Sequence, residues 1–372
     1  MKARIYTMKK WMGLLLALCM LTSLLAGCAG SAIISFEGES LNAETLRYQI
    51  YNTKLGLEMQ TNILDEAAAD AYWAEDNTAD LIEGKTPFEF ASTSLLKELK
   101  EELLIVDMAK ERNVAATEDE IKNMKEMLIS QMFGSQEAFD QTAELFGFED
   151  KNLLWIAKVN ANYAKIIADL YPREKLATYA NDNGWVRVKH VLINFSETVT
   201  EADALQKAQD VCDRAAKGED FDAMVAELSE DPGSKTYADG YLVAKGSGMV
   251  ASFEDASLAL AEGQVSAPVK SDYGYHVIKR YPIGNISDLD LSMGNALTTH
   301  YQEEATKLFQ TELDAAMAAK GDAIRVDEEA FKELLRTLKV PQDYYTAMQA
   351  AQHQMMEQTQ SQQAPVDDLT QE

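Results

Sequence analysis

The amino-acid sequence predicts an α+β protein in which one compact mixed domain is inserted between two helical segments. Apolar residues recur at helical spacing up to about residue 180. At residue 184 the pattern changes to β-branched residues that alternate along the chain, and helical spacing returns from 284 to about 350. The two helical segments are candidates for a single all-α domain.

The composition indicates a globular chain with an acidic surface. Its 372 residues, 47% of them hydrophobic and 26% charged, suffice for about two or three domains of ordinary composition. Asp and Glu number 61 against 34 Lys and Arg, which gives a formal net charge of −27. This balance argues against nucleic acid as a partner, because phosphate groups bind to basic surfaces.

The N-terminus has the three parts of an export signal. An apolar run at 11–26 ends in the motif LLAGC, whose last residue is Cys28, and it follows a basic stretch that contains Lys2, Arg4, Lys9 and Lys10. The motif resembles a bacterial lipobox, in which residues 1–27 are removed and Cys28 receives the lipid. A plain signal peptide and a membrane-spanning anchor are the alternatives, although a run of about 16 residues is short for a span. We expect a lipid-anchored protein on the extracytoplasmic face of a bacterial cell membrane, and whether that is an inner or outer membrane is left open.

Cysteine usage predicts no disulfide. Cys19 would leave with the signal and Cys28 would be acylated, so Cys212 is the one thiol that remains of the three cysteines. Cys212 follows Leu205 and Ala208 at helical spacing, which indicates a small buried apolar residue rather than a nucleophile.

The region 28–183 is predicted to be helical after one short strand. The strand covers 32–36 and is followed by a turn at Glu37 and Gly38. Helices are expected at 93–113 and at 153–171, and the TEDE motif at 117–120 is a capping box that opens another helix.

The region 184–283 is predicted to follow the order β-α-α-β-α-β-β. Its strands are expected at 184–195, near Tyr241–Ala244, at 265–269 and at 275–281. Its first helix begins with a capping box of Thr200 and Asp203, its second carries Phe221, and its third is capped by Ser252 and Asp255. Helical spacing resumes over 284–350, and the Gln-rich residues 351–372 are predicted to be disordered.

Two of the four histidines lie on the first and last strands of this middle domain. His190 shares a strand face with Val188 and Leu192, and His276 shares one with Ile278, so neighbouring strands would bring the two rings together. Two histidines suggest a metal, but no third ligand stands at metal spacing, and no nucleophile elbow supports a serine hydrolase. We expect no metal and no other cofactor, and hydrogen-bonded core histidines are the alternative to a functional pair.

Several segments of the middle domain resemble parvulin-type peptidyl-prolyl cis-trans isomerases. They are VKHVLINF, KGEDFDAMVAELSEDPGSK and ADGYLVAKGSGMVASFEDASLALAEGQVSAPVKSDYGYHVIKRY, in the order and near the spacing of that family. The resemblance covers about 185–283 and implies a four-stranded antiparallel sheet with surrounding helices. The order of lipobox, helical region, parvulin-like domain and helical tail also resembles the PrsA and SurA extracytoplasmic foldases.

The resemblance implies a role for each matching residue. The paired histidines would form the floor of the site together with Asp231 and the hydroxyl of Tyr273, and the proline pocket would be lined by Leu242, Met249 and Phe253. The alternatives are a turn cap at Asp231 and ordinary core positions for the pocket residues. The chain departs from the family at Asp239, at Val243 and in a shorter loop between Leu242 and Met249. The loop after His190 has no basic cluster, so we expect no requirement for a phosphorylated substrate.

The resemblance therefore implies a membrane-anchored peptidyl-prolyl isomerase that assists the folding of secreted proteins. Its partners would be unfolded or partly folded polypeptides with X-Pro bonds. The alternative is a holdase with a weak or inactive isomerase domain. An adaptable apolar surface at Met59, Met108, Met124, Met127 and Met132 would favour it, although methionine is more often a core residue. A solute-binding lipoprotein is disfavoured. A second copy of the chain, bound through the helical region as a homodimer, is a further candidate partner.

Overall fold

A computed structural model describes residues 31–362, apart from residue 197 and residues 293–295. The expected signal segment 1–27, the lipid-accepting Cys28 and residues 363–372 lie outside these described residues. The described residues divide into two compact units. One combines the chain up to Ile166 with the chain from Gln310 onward, and the other is Ile167–Phe309. No helix within the described part of the chain is long and apolar enough to cross a membrane.

The elements follow one another in an order that is mixed in the middle and helical on both sides. In chain order they are β1 Ile34–Phe36, β2 Glu39–Leu41, α1 Ala43–Thr61, α2 Glu66–Tyr72, α3 Pro87–Glu111, α4 Glu118–Phe133, α5 Gln136–Phe146, α6 Leu154–Leu170, α7 Arg173–Asp182, β3 Val186–Asn194, α8 Glu201–Ala216, α9 Phe221–Leu228, α10 Gly233–Thr236, β4 Tyr241–Val243, α11 Ala251–Ala259, β5 Val269–Lys270, β6 Gly274–Tyr281, α12 Asp288–Ser292, α13 Ala296–Lys320, β7 Arg325–Val326, α14 Glu328–Thr337 and α15 Gln342–Gln362. Short 3-10 helices occupy Asp150–Leu153 and Gly321–Ala323. The predicted α+β class is confirmed.

The first unit contains a small sheet that the sequence pattern does not predict. Its strand order is β2-β1-β7, and Ile34 of β1 pairs with Leu41 on one side and with Val326 on the other. The predicted helix starts are found here: Thr117 and Glu120 form the expected capping box at the start of α4. A capping box satisfies two of the backbone N–H groups that a helix start leaves unpaired.

Three predicted boundaries are wrong for identifiable reasons. Helix α11 begins at Ala251 after Val250 with no side-chain cap, so Ser252 and Asp255 lie inside it. Strand β5 covers only Val269–Lys270, because Pro268 has no N–H to donate to a ladder. Residues 351–362, predicted to be disordered, continue helix α15, since Gln, Met and Ala are good helix formers despite the polar composition.

The second unit is built on a four-stranded antiparallel sheet, as predicted. The strand order is β4-β3-β6-β5. Helices α8 and α9 pack on one face, where Val191, Phe221 and Val277 are fully buried and Cys212 packs against their cluster. The other face carries a second cluster that includes Val188, Val243, Phe253, Leu260 and Ile278. The two faces alternate along every strand with a period of two residues.

A buried ion pair fixes the chain that leaves the sheet. The Arg187 guanidinium donates to both carboxylate oxygens of Asp290, at 3.2 and 3.0 Å, and the two side chains are only 6% and 5% exposed. Arg187 also donates to the carbonyl oxygens of Ile283 and Asn285, at 2.6 and 3.0 Å. The Asp290 carboxylate accepts the backbone N–H of Ser287 at 2.8 Å. A buried guanidinium with this many partners is costly to leave without its counter-charge.

Replacing Asp290 by asparagine is expected to lower the free energy of unfolding by about 3 kcal/mol, because the Arg187 charge stays buried without a counter-ion. Urea unfolding of the full chain measures the change. The exposed pair of Lys307 and Glu304, with nitrogen and oxygen 3.4 Å apart, provides the control. Glu304→Gln is expected to change the free energy by less than about 0.5 kcal/mol, and equal effects of the two substitutions would contradict the role of the buried pair.

Candidate functional site

The register of two strands places the paired histidines next to each other. Across β3 and β6, His190 pairs with Ile278 and Leu192 pairs with His276. The two histidines are therefore diagonal neighbours on the same face of the sheet, a separation within reach of aromatic side chains. Their ring centroids lie 5.1 Å apart at an interplanar angle of 66°. The predicted juxtaposition of His190 and His276 is present in the structure.

Phe253 of α11 completes a cluster of three rings. Its centroid lies 4.9 Å from that of His190 and 5.2 Å from that of His276, at interplanar angles of 88° and 62°. Phe253 is 4% exposed, and the half-buried Met249 packs against the same apolar cluster. Edge-to-face contacts of this kind contribute about 1 kcal/mol each beyond area burial. Phe253 and Met249, two of the three predicted pocket residues, thus lie on the face of the sheet that carries the histidines.

Asp231 lies beside His190 and accepts hydrogen bonds from two donors. Its Oδ2 atom lies 3.2 Å from His190 Nε2, a polar contact without the alignment of a hydrogen bond. The same oxygen accepts the hydroxyl of Tyr241 at 2.6 Å, and Oδ1 accepts the backbone N–H of Gly233 at 3.1 Å. Burial raises the pKa of Asp231, but the contacts with His190 and Tyr241 outweigh it and lower the pKa to about 2. The carboxylate is charged at neutral pH.

His276 is held on its other side by a buried serine. Its Nε2 atom lies 2.7 Å from the hydroxyl oxygen of Ser271, while Nδ1 has no hydrogen-bond partner among the described residues. Burial, together with the neighbouring His190, lowers the pKa of His276 to about 4, and the Asp231 charge only partly opposes this. The ring is therefore neutral at pH 7, so it can donate or accept but carries no charge.

A buried carboxylate shapes the loop that leads into the ring cluster. Glu254 is 5% exposed and accepts the backbone N–H groups of Gly246 and Ser247 at 3.0 and 3.1 Å. These contacts lower the pKa of Glu254, the bond from Gly246 most of all. Glu254 directly follows Phe253, so the same helical turn holds the ring and the loop in place. The loop is the segment that departs from the parvulin pattern.

The structure corrects the assignment of Leu242 to the proline pocket. Leu242 pairs with Arg187 across β4 and β3, one residue out of phase with the histidine face. Its side chain is fully buried in a different cluster, together with Trp185. Because side chains alternate along a strand, Tyr241 rather than Leu242 lies on the face of His190.

Tyr273 does not join the site. Its side chain is 63% exposed, and its carbonyl oxygen accepts the backbone N–H of Phe195 at 2.9 Å. Tyr273 lies in the turn before β6 at an odd spacing from His276, so strand alternation does not bring it to the histidine face. The hydroxyl group at His276 is that of Ser271, which lies at the start of the same turn.

Sequence reasoning missed Tyr241 and Ser271 as members of the site. Tyr241 could have been found from strand phase, because it pairs with Val188 on the face that carries His190. Ser271 had no such signal, since its approach to His276 depends on the turn between β5 and β6. No group of three or more His, Cys, Asp or Glu side chains within the described ranges could hold a metal ion.

Comparison with known proteins concerns the domain that contains this cluster. Residues 173–281 match the family model described as the PPIC-type PPIase domain. The chain is 27% identical over 241 residues to the foldase protein PrsA of Caldanaerobacter subterraneus subsp. tengcongensis, over 64% of this chain and 72% of that protein. It is 34% identical over 164 residues to PrsA of a Geobacillus species, over 43% of this chain and 52% of that protein.

A third relative is named as a chaperone. The chain is 40% identical over 93 residues to the chaperone SurA of Chromohalobacter salexigens, over 25% of this chain and 21% of that protein. The match to the Geobacillus protein spans only 52% of that protein's length. Residues 173–281 are thus similar to the PPIC-type PPIase domain, and the resemblance to parvulin-type isomerases and to PrsA-like foldases is confirmed.

The lowered pKa of His276 predicts a pH dependence of stability. The pKa of His276 is about 4 in the folded chain and about 6.5 in the unfolded chain. Between pH 4 and pH 6.5 the unfolded chain therefore binds more protons than the folded chain. The free energy of unfolding is therefore expected to fall, by up to about 3 kcal/mol, as the pH drops from about 6.5 to about 4. Urea unfolding at a series of pH values measures this slope.

His276→Gln is expected to remove that part of the slope, because glutamine does not titrate. His353→Gln, at an exposed position of α15, is the matched control and should retain it. The assignment to His276 is wrong if His276→Gln and the unsubstituted chain show the same slope over this pH range.

Proposed function

We propose that this chain, which carries a PPIC-type isomerase domain, is a foldase that accelerates the rotation of X-Pro bonds in unfolded secreted polypeptides. The observation that carries the proposal is the cluster of His190, His276 and Phe253, with the Asp231 carboxylate at its edge. The similarity to foldase proteins supports it, and so does the match of residues 173–281 to the PPIC-type PPIase domain.

The reaction needs no covalent intermediate. An X-Pro amide rotates over a barrier of about 20 kcal/mol, and each reduction by about 1.4 kcal/mol increases the rate tenfold. Twisting the amide removes its resonance, which makes the nitrogen more basic and the carbonyl group less polar. An environment that stabilises the twisted amide more than the planar amide therefore accelerates rotation.

The apolar part of the site would select the twisted amide by excluding water. Phe253 and Met249 offer an apolar wall for the pyrrolidine ring, and the buried aliphatic residues around Val188 and Ile278 lie behind it. A planar amide is more polar than a twisted one, so removing water from both costs the planar form more. The edge-to-face packing of Phe253 on both histidines holds this wall in place before a substrate arrives.

The polar part of the site would supply a fixed set of hydrogen-bonding groups. Asp231 stays charged and His276 stays neutral at pH 7, as their lowered pKa values imply. His276 is fixed by Ser271 on one side, while its buried Nδ1 atom has no hydrogen-bond partner among the described residues. Groups that are already oriented stabilise a transition state without reorganising when the amide twists. None of them is required to transfer a proton.

Isomerisation of a peptide with one X-Pro bond is expected to be faster in the presence of the full chain than in buffer. His190→Ala and Asp231→Ala should each lower kcat/KM by about tenfold or more, because each removes part of the oriented polar floor. Phe253→Leu should lower kcat/KM by a similar factor by opening the apolar wall. A protease-coupled or NMR exchange assay of the peptide gives the rates.

Phe195→Leu is the control for Phe253→Leu, since Phe195 packs on the opposite face of the sheet and its loss should leave the rate unchanged. An unsubstituted chain with no rate above buffer would contradict the isomerase proposal. Suppression of aggregation of an unfolded protein by that inactive chain would then support the holdase function. The exposed Met59, Leu81 and Met127 of the first unit, at 46%, 50% and 43%, favour that second function, although Met108 is buried at 5%.

We propose in addition that Cys28 carries a lipid that anchors the chain at the outer surface of a cell membrane. The support is the order of basic residues, apolar run and LLAGC motif at the N-terminus. Cleavage would remove residues 1–27 together with the apolar run, and the lipid on the Cys28 thiol would then be the membrane anchor.

Expression in a bacterial host with radiolabelled palmitate is expected to label the chain and to place it in the membrane fraction. Cys28→Ser should abolish both the label and the membrane association, because serine offers no thiol to acylate. Cys212→Ser should change neither, since Cys212 packs within the isomerase domain. Label retained in Cys28→Ser would show that the anchor is elsewhere.

A further inference from the structure

The tyrosine that sequence reasoning missed makes the shortest contact to the site carboxylate. The Tyr241 hydroxyl donates to Asp231 Oδ2 at 2.6 Å, and this oxygen is also the one 3.2 Å from His190 Nε2. The Tyr241 ring lies against His190, with centroids 5.7 Å apart at an interplanar angle of 34°. One side chain therefore contacts both polar groups on this side of the site.

Gly233 provides the space that the tyrosine hydroxyl occupies. A Cβ atom at position 233 would lie 2.0 Å from the Tyr241 hydroxyl oxygen, 3.2 Å from its Cζ atom and 3.4 Å from Asp231 Oδ1. Real Cβ atoms do not approach oxygen so closely, because overlap of atomic cores is strongly repulsive. The backbone N–H of the same glycine donates to Asp231 Oδ1 at 3.1 Å. Gly233 thus both admits the hydroxyl and holds the second carboxylate oxygen.

We infer that Tyr241 is a positioning residue of the isomerase site: its hydroxyl, admitted by the missing side chain at Gly233, holds the Asp231 carboxylate against His190. The inference rests on the proposed isomerase function. It assigns to Tyr241 no contact with substrate, because its effect passes through Asp231.

The geometry explains what this arrangement does for the histidine. With Oδ1 on the Gly233 N–H and Oδ2 on the Tyr241 hydroxyl, the carboxylate cannot rotate about its Cβ–Cγ bond without losing a hydrogen bond. A fixed negative oxygen near His190 Nε2 favours the tautomer with its proton on that atom. The tautomer of His190 is then set before a substrate binds.

Tyr241→Phe separates the hydroxyl from the ring. In the full chain this variant is expected to lower kcat for X-Pro isomerisation roughly threefold to tenfold with little change in KM, because one hydrogen bond to a charged group is lost while the apolar pocket is kept. The pKa of Asp231, followed by carbon-13 NMR of labelled aspartate, should rise by about one unit. The groups that face Asp231 in this titration are His190 on β3, Tyr241 on β4 and His276 on β6.

Tyr237→Phe is the matched control. Its ring lies 5.2 Å from that of Tyr241, and the substitution removes the same atom from a neighbouring tyrosine. We expect kcat, KM and the pKa of Asp231 to remain unchanged. An unchanged Asp231 pKa in Tyr241→Phe, or a kcat equal to that of Tyr237→Phe, overturns the inference.

Gly233→Ala tests the same contact without removing the tyrosine. The added Cβ should push the hydroxyl away from Asp231 and lower both the midpoint of urea unfolding and kcat. In the double variant Gly233→Ala/Tyr241→Phe the clash with the hydroxyl is absent, so most of the loss of stability caused by Gly233→Ala should be recovered. Additive losses in this cycle would show that glycine and hydroxyl are not coupled and would overturn the inference.

The two proposals fail in different ways. If the unsubstituted chain has no isomerase activity, the proposed isomerase function is wrong, and the kcat values of Tyr241→Phe and Tyr237→Phe cannot be compared. The Asp231 titration and the stability cycle still decide whether Tyr241 and Gly233 hold the carboxylate, because neither measurement needs turnover.

Discussion

The antiparallel pairing of β3 with β6 is the constraint on which the site depends. Eight residues of each strand are matched, from Arg187 and Tyr281 to Asn194 and Gly274. A shift of this register by one residue would turn one histidine to the opposite face and separate the pair. Gly274 secures the end of the ladder, because a Cβ atom there would lie 2.0 Å from the carbonyl oxygen of Ile193. The close approach of two backbones thus fixes the approach of two imidazole rings.

The site combines groups that would be costly to bury singly. Asp231 keeps its charge because Tyr241 and Gly233 donate to it, and His276 avoids the cost of a buried charge by remaining neutral. Phe253 packs against both histidines and closes the apolar side of the site. A charged acceptor, a neutral imidazole and an aromatic wall therefore coexist within a few ångströms, each stabilised by partners from a different element of the fold.

Much of this arrangement can be predicted from the sequence, and the parts that cannot be predicted have physical reasons. Strand phase was sufficient to predict that His190 and His276 share a face, and the quoted motifs located Asp231, Met249 and Phe253. The motif places Leu242 on a strand but does not give the pairing of that strand. Because side chains alternate between the two faces, an error of one position moves a residue to the opposite face. The sheet of β2, β1 and β7 has strands of two or three residues, which are too short to show a periodicity, and the pairing of β1 with β7 is non-local.

That small sheet has a consequence for the order in which the chain is assembled. Strand β1 lies near the start of the described chain and β7 near its end, yet Ile34 pairs with Val326. The first unit can complete this pairing only after the entire isomerase domain has been synthesised, whereas the second unit is one continuous segment. During vectorial synthesis the second unit is therefore the part that can reach its native fold first, and closure of the first unit is the late, long-range step.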